Sequence, residues 1–112
     1  MALIGIFAPT PDGFSGRIKT LLFDAEIALT RASERTAENA PDYRISLGAV
    51  VGGPVIGAAW SRKADKGGDY ISLLIDDPFL VTPINAVLFP TDRPNVAHHL
   101  YWTRPGRRDE KA

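Results

Sequence analysis

The chain contains no cysteine, which excludes disulfide bonds, a thiolate nucleophile and a zinc site built on cysteine ligands. Its 13 basic and 13 acidic residues leave no net charge to draw it onto DNA or an acidic membrane. No apolar run approaches the ~20 residues that a membrane-spanning helix needs. The N-terminus lacks the basic segment of a signal peptide. We therefore expect a cytoplasmic protein with no membrane partner, in which any nucleic-acid binding depends on a local patch.

A length of 112 residues is typical of a single domain with one core, and 45% of the residues are hydrophobic. The last residues are mostly charged and contain no apolar pattern. We expect one β domain over residues 1–104 and a solvated C-terminal tail over residues 105–112.

Glycine, proline, aspartate and asparagine interrupt the chain at short intervals, as they do in all-β domains. Between these breaks, apolar and polar residues alternate with the period of a half-buried strand. This pattern predicts strands over residues 3–7, 14–22, 24–31, 43–47, 55–62, 69–75, 84–89 and 96–103. Residues 24–36 could instead hold one short helix, because the first part has good helix propensity. The fold class is all-β, a small antiparallel barrel or sandwich of about six to eight strands.

The apolar faces of these strands predict the core. We expect it to contain Ile4, Ile6, Phe14, Ile18, Leu22, Ile27, Leu29, Tyr43, Ile45, Ile71, Leu73, Ile75, Ile84, Val87 and Leu100. Residues 55–59 and 71–75 look apolar on both faces, which is more than one face of a small barrel can bury. A homodimer interface would cover this surplus, and so would a loop formed by residues 79–81.

Seven short blocks stand in a fixed order along the chain. They are IGIF at 4–7, DGFSGRI at 12–18, ENAPDYR at 38–44, IGAAW at 56–60, YISLLIDDP at 70–78, PINA at 83–86 and WTRP at 102–105. Over nearly the whole chain, this series resembles a bacterial family of short proteins filed as domain of unknown function seven-three-six. Members of that family are often met on plasmids and other mobile elements. The resemblance implies this genetic context and supplies no catalytic residues.

The densest group of catalytic-type side chains is the pair Asp76 and Asp77, which follows the strand predicted at 69–75. Neighbouring side chains on a strand point to opposite faces, so the two carboxylates diverge. Aspartate before proline is also a strong turn former. We expect a turn here, so Asp76→Asn and Asp77→Asn should lower stability without removing an activity. His98 and His99 diverge in the same way, which favours a partly buried histidine over a metal site.

The remaining enzyme patterns are incomplete. Ser15 lacks the preceding glycine of a nucleophile elbow and lies within a predicted strand. The glycine-rich residues 48–57 lead into a strand and lack the helix N-terminus that binds phosphate. We therefore expect no catalytic residues, no cofactor and no metal, and we interpret the chain as a non-enzymatic binding module.

Aromatic and basic residues are interleaved on the predicted strands, as in proteins that stack single-stranded nucleic acid on a small barrel. The candidate binding residues are Arg17, Lys19, Trp60, Arg62, Lys63, Tyr70 and Arg104. Such residues also serve simply as core, rim and solubilising surface in small domains. Our hypothesis is a single-stranded nucleic-acid-binding accessory or regulatory factor of a mobile element. The alternative is a protein–protein adaptor or homo-oligomer, whose partner docks on a sheet edge or on the aromatic surface.

Overall fold

The structure, a computed structural model, describes residues 2–21, 24–32, 40–48, 53–64, 68–78 and 80–102. They form eight strands: β1 (Ala2–Thr10), β2 (Gly13–Lys19), β3 (Asp24–Arg31), β4 (Tyr43–Leu47), β5 (Val55–Lys63), β6 (Asp69–Ile75), β7 (Ile84–Pro90) and β8 (His98–Trp102). Each strand pairs antiparallel with the next, and β8 pairs with β1 to close a barrel. The described residues contain no helix. The predicted all-β antiparallel fold is confirmed.

The segment that could have been strand or helix is a strand at 24–31, while residues 33–36 lie outside the described part. We call the end of the barrel that carries the β1–β2, β3–β4, β5–β6 and β7–β8 loops the mouth, and the opposite end the base. The predicted tail, residues 105–112, also lies outside the described residues.

Side chains from all eight strands meet inside the barrel. The buried core consists of Phe7, Ile18, Ile27, Leu29, Ile45, Ala59, Ile71, Leu73, Ile75, Ala86, Leu88 and Leu100. Of the other predicted core residues, Ile4, Phe14, Tyr43 and Ile84 are partly buried and pack against this cluster. Leu22 lies outside the described residues. Most of the predicted core is therefore confirmed.

Two core predictions, Ile6 and Val87, are wrong. The register of β1 against β8 shifts between Leu3 and Gly5, so Ile4 is an inserted bulge residue and the alternation changes phase after it. Phe7 is buried as a result, while Ile6 is 55% exposed. Val87 lies on the outer face of β7, because its neighbours on either side are buried. An uninterrupted apolar run gives no alternation from which to choose the inward face.

The Phe7 ring occupies space that two inward-facing glycines leave free. Phe7 is paired with Gly16 across β1 and β2, and Gly5 lies two residues before it. A Cβ atom added at Gly16 would lie 2.4 Å from the Ile6 carbonyl oxygen and 2.5 Å from Phe7 Cγ. One added at Gly5 would lie 2.8 Å from the Arg17 carbonyl oxygen and 3.2 Å from Phe7 Cε1. A side chain at Gly16 would therefore displace both the ring and the β1 backbone, because a packed interior has no free volume to absorb it.

The base of the barrel is filled by aliphatic side chains. Ile4, Ile56, Ile84 and Leu80 are partly buried there and pack against the core. Leu80 comes from the β6–β7 loop and packs against the core. Cover of the second apolar face of residues 55–59 and 71–75 by this loop stays a prediction. Val81 is fully exposed, and Phe79 lies outside the described residues. A homodimer interface stays a prediction.

We predict that Gly16→Ala lowers the free energy of unfolding by about 1–3 kcal/mol, the usual cost of overpacking a core. Urea denaturation monitored by circular dichroism measures the change. Ser15→Ala is the matched control, because Ser15 is the neighbouring residue and faces the other side of β2. Equal stability of Gly16→Ala and wild type would show that the Phe7 ring does not need this space.

Candidate binding surfaces

The structure divides the predicted nucleic-acid-binding residues among separate parts of the barrel. Arg17 and Lys19 lie on the outer face of β2, whereas Trp60 and Arg62 lie on the outer face of β5. Strands β3 and β4 separate them on one side, and four strands separate them on the other. Tyr70 is paired with Arg62. The predicted set therefore does not form one surface.

The two remaining predicted residues lie apart from both groups. Lys63 stands at the mouth, where its ammonium lies 3.2 Å from the Asp69 carboxylate. Arg104 lies outside the described residues, so its place remains a prediction.

Arg17 and Lys19 are already matched by carboxylates of β3. Arg17 hydrogen bonds and ion-pairs with Asp24, and its guanidinium lies 3.4 Å from Glu26. Lys19 lies 4.0 Å from Asp24. The hydrogen bond to Asp24 is the largest cause that raises the pKa of Arg17 above its ordinary value. A phosphate would have to compete with these carboxylates, so this part of β2 is a poor anion site.

A continuous set of outward-facing rings crosses β6, β7 and β8. We call Tyr70, Phe89, His99 and Tyr101 the aromatic row. The centroids of Tyr70 and Phe89 are 5.3 Å apart, and those of Phe89 and Tyr101 are 6.1 Å apart. His99 and Tyr101 are 6.2 Å apart, with 3.4 Å between the Tyr101 hydroxyl and His99 Nδ1. These spacings are those of aromatic pairs in contact.

Different chemistry flanks the aromatic row on its two sides. Arg62, paired with Tyr70, is exposed and makes no ion pair with another described residue. On the other side, β1 places Ile6 opposite His99 and Leu3 opposite Tyr101. Leu3 is 50% exposed. The surface therefore changes from cationic to aliphatic across the aromatic row.

Sequence reasoning missed Phe89, His99 and Tyr101 as members of a binding surface. Phe89 ends the uninterrupted apolar run of β7, which gives no alternation to mark its outward face. His99 and Tyr101 are two residues apart and share one face of β8, but the sequence does not show which rings lie next to them across the sheet. The outward orientation of Phe89 could be inferred only after Leu88 was known to point inward.

The mouth contains a cavity of about 590 Å³ that is open to solvent. Its lining includes the core residues Ile71 and Leu88. Four rings also line it, and three of them are grouped: the Phe14 centroid lies 4.8 Å from that of His98 and 5.9 Å from that of Tyr43. The remaining lining residues are Ser61, Arg62, Lys63, Asp69, Tyr70, Pro90 and Pro94. The cavity therefore combines apolar walls with a charged rim.

His98 and His99 point to opposite sides of β8, as expected for neighbouring strand residues. His98 Nε2 lies 3.0 Å from the Pro94 carbonyl oxygen, which can only accept, so Nε2 carries the proton of this hydrogen bond. Burial lowers the pKa of His98 below its ordinary value of 6.5, and the hydrogen bond to Pro94 opposes this effect. Neutral His98 then has Nδ1 as an acceptor.

The turn that follows β6 begins at Asp77, whose carbonyl accepts from the Leu80 N–H at 2.8 Å. Asp76 still bonds to β5, because its N–H donates to the Ile56 carbonyl at 2.8 Å. Asp69 lies at the other end of β6, roughly 20 Å from Asp76 at the usual rise of a strand. Asp65 lies outside the described residues. Within the described part of the chain, no three His, Cys, Asp or Glu side chains are grouped as metal ligands.

We predict that His98 makes the unfolding free energy depend on pH near neutrality. Because its pKa is lower in the folded state, the unfolded state binds the proton more readily. The contribution of His98 to the free energy of unfolding is complete above pH 6.5. It decreases as the pH falls through 6.5 towards the pKa of His98 in the folded state. Urea titrations between about pH 5.5 and 7.5 measure this slope.

His98→Gln should flatten the slope, and His99→Gln, on the opposite face of the same strand, should retain it. Lys63, Asp69 and Arg62 line the same cavity as His98. The measurement is therefore repeated at raised salt to screen their contribution. An unchanged slope in His98→Gln would contradict the assignment.

Comparison with known proteins identifies the family to which the chain belongs. No curated protein and no solved structure is significantly similar to the chain. The described residues contain no helix long and apolar enough to cross a membrane. The model of the family described as "protein of unknown function (DUF736)" matches residues 3–105. This match spans almost the whole chain and confirms the resemblance of the seven sequence blocks. The chain belongs to the DUF736 family.

Proposed function

We propose that the chain is a non-enzymatic module that binds single-stranded nucleic acid, as an accessory or regulatory factor of a bacterial mobile element. The supporting observation is the aromatic row, whose rings are in contact on the outside of the barrel and lie beside Arg62. Every base has a flat π face, so such a platform binds bases in any order, with about 1–3 kcal/mol per stacked base.

The proposed site differs from the one predicted from the sequence. It keeps Trp60, Arg62 and Tyr70 and adds Phe89, His99 and Tyr101. Arg17 and Lys19 are left out, because they pair with acidic residues on a distant part of the barrel. Lys63 belongs to the mouth and pairs with Asp69. With Arg62 as its main cation, the site should bind weakly and respond modestly to salt, because few counterions are released.

A protein partner is the second candidate, and the exposed Leu3 and Ile6 favour it. Tryptophan, tyrosine and arginine are also the residues most enriched in the energetic centres of protein interfaces. The closed barrel leaves no free edge among the described strands, so a partner would have to dock on the outer aromatic surface. A second copy of this chain could be that partner.

We predict that Arg62→Ala weakens binding of single-stranded DNA and RNA and lowers the salt dependence by about 0.7 in log–log slope, the value for one phosphate contact. Fluorescent oligonucleotides are titrated between about 50 and 200 mM salt. Lys19→Ala is the matched control, because it removes an exposed cation from outside the site. Equal losses in the two variants would place the site elsewhere.

We predict that Phe89→Ala lowers the affinity for single strands by about 1–3 kcal/mol, because it removes the central stacking ring. Val87→Ala, an outer-face truncation on the same strand, should change the affinity little. Circular dichroism checks that both variants stay folded.

Absence of binding by the wild type at low salt would reject the nucleic-acid proposal. Sedimentation then tests the second candidate. A dimer that Ile6→Glu dissociates would assign this face to self-association, and a monomer at high concentration would reject the homodimer.

A further inference from the structure

The mouth cavity is a second candidate site, which opens at the end of the barrel and reaches core residues such as Ile71 and Leu88. Its volume of about 590 Å³ lies within the ~300–1,000 Å³ range of small-molecule pockets. Eight-stranded barrels are wide enough to hold one small ligand when their interior is not filled by side chains. Here the inward positions nearest the mouth include Ser61 and Pro90, which are too small to fill it.

The walls of the cavity favour a flat ligand. Phe14 meets the His98 ring nearly edge to face, with 67° between the ring planes, and it lies at 56° to the Tyr43 ring. The cavity therefore offers ring faces and edges together with the pyrrolidine surfaces of Pro90 and Pro94. Aromatic groups gain most from packing against such surfaces, in stacked or edge-to-face arrangements.

The charges at the rim favour an anionic substituent. Among the lining residues, Arg62 and Lys63 are cationic and Asp69 is anionic. Lys63 and Asp69 pair at 3.2 Å, while Arg62 makes no ion pair with another described residue. The Asp42 carboxylate accepts a hydrogen bond from the Ser61 N–H beside the cavity, so the described cations and anions balance in number. Arg62 still offers a guanidinium without an ion pair to another described residue, and this group is suited to carboxylate or phosphate.

We propose that the barrel mouth binds a small planar aromatic ligand that carries one anionic group. The ring lies among Phe14, Tyr43 and His98, and the anion lies at the rim near Arg62. An aromatic carboxylate and a nucleoside monophosphate share this chemistry. The cavity borders the outer aromatic row, because Tyr70 lines both and Arg62 lies beside both. The proposal concerns the interior of the mouth and does not depend on nucleic-acid binding on the outer face.

The test uses two fluorescent probes that share one ring system. Anilinonaphthalenesulfonate carries the anion, and phenylnaphthylamine lacks it. We expect the full chain to bind the sulfonate more tightly than the neutral probe. Equal affinities would overturn the anionic part of the proposal, and failure of both probes to bind would overturn all of it.

Two variants locate the probe. Ser61→Phe places a ring in the mouth and should abolish sulfonate binding. Its backbone N–H keeps the 2.8 Å bond to the Asp42 carboxylate, and the exposed position tolerates a larger side chain. Tyr101→Ala alters the end of the outer row that lies away from Tyr70, and Tyr101 does not line the cavity, so the affinity should be unchanged. Binding that survives Ser61→Phe or is lost in Tyr101→Ala would place the probe on the outer face. Thermal melts confirm that both variants are folded.

A third variant tests the rim without adding bulk. Lys63→Met removes one cation and leaves Asp69 without this partner. The affinity for the sulfonate probe should fall by up to about fivefold, because exposed ion pairs contribute little free energy. The affinity for the neutral probe should not change, and an equal loss for both probes would contradict the charge assignment.

Competition identifies the source of the ligand. If only anthranilate displaces the sulfonate probe, the ligand is an aromatic acid. If only adenosine monophosphate displaces it, the ligand is a nucleotide. Displacement by both supports the shared chemistry, and displacement by neither would overturn the proposal.

Discussion

The packing of Phe7 over Gly16, next to the β1 bulge, is the constraint on which both candidate surfaces depend. When Phe7 points inward, Ile6 must point outward, where it borders His99 at the end of the aromatic row. Phe7 is also paired with His98 across β1 and β8, so the same register holds His98 at the mouth. A shift of β1 by one residue would reverse every side chain on it and change both surfaces.

The strands and most of the core were predictable, because alternation and turn residues are local signals. The errors at Ile6 and Val87 arose where that signal fails, at a bulge and within an uninterrupted apolar run. The candidate site was predictable only in part. Arg62 and Tyr70 are neighbours in a hairpin, which the sequence could indicate. The contact between Tyr70 and Phe89 depends on the register of β7 against β6, which the sequence does not show. The distance between Arg17 and Arg62 follows only from the order of the strands around the closed barrel.

The distribution of charge explains how a chain of zero net charge can still present local sites. On β2 and β3, cations face carboxylates across one hairpin, and their fields cancel within a few ångströms. Arg62 has no such partner among the described residues, so its field extends into solvent. The two ends of the barrel differ in a similar way. Aliphatic side chains pack inside the base, whereas rings and charged groups line the cavity at the mouth.

Closure of the barrel by β1 and β8 has a consequence for synthesis in the cell. The two strands are joined by hydrogen bonds between residues near opposite ends of the chain, such as Ala2 and Trp102. All residues up to Trp102 must therefore leave the ribosome before β1 and β8 can pair. Until then, β1 and the newest strand both have unpaired edges, which can pair with other chains. Contacts between such distant residues also form slowly. The nascent chain is most vulnerable to aggregation while seven strands can pair and the eighth is still inside the ribosome.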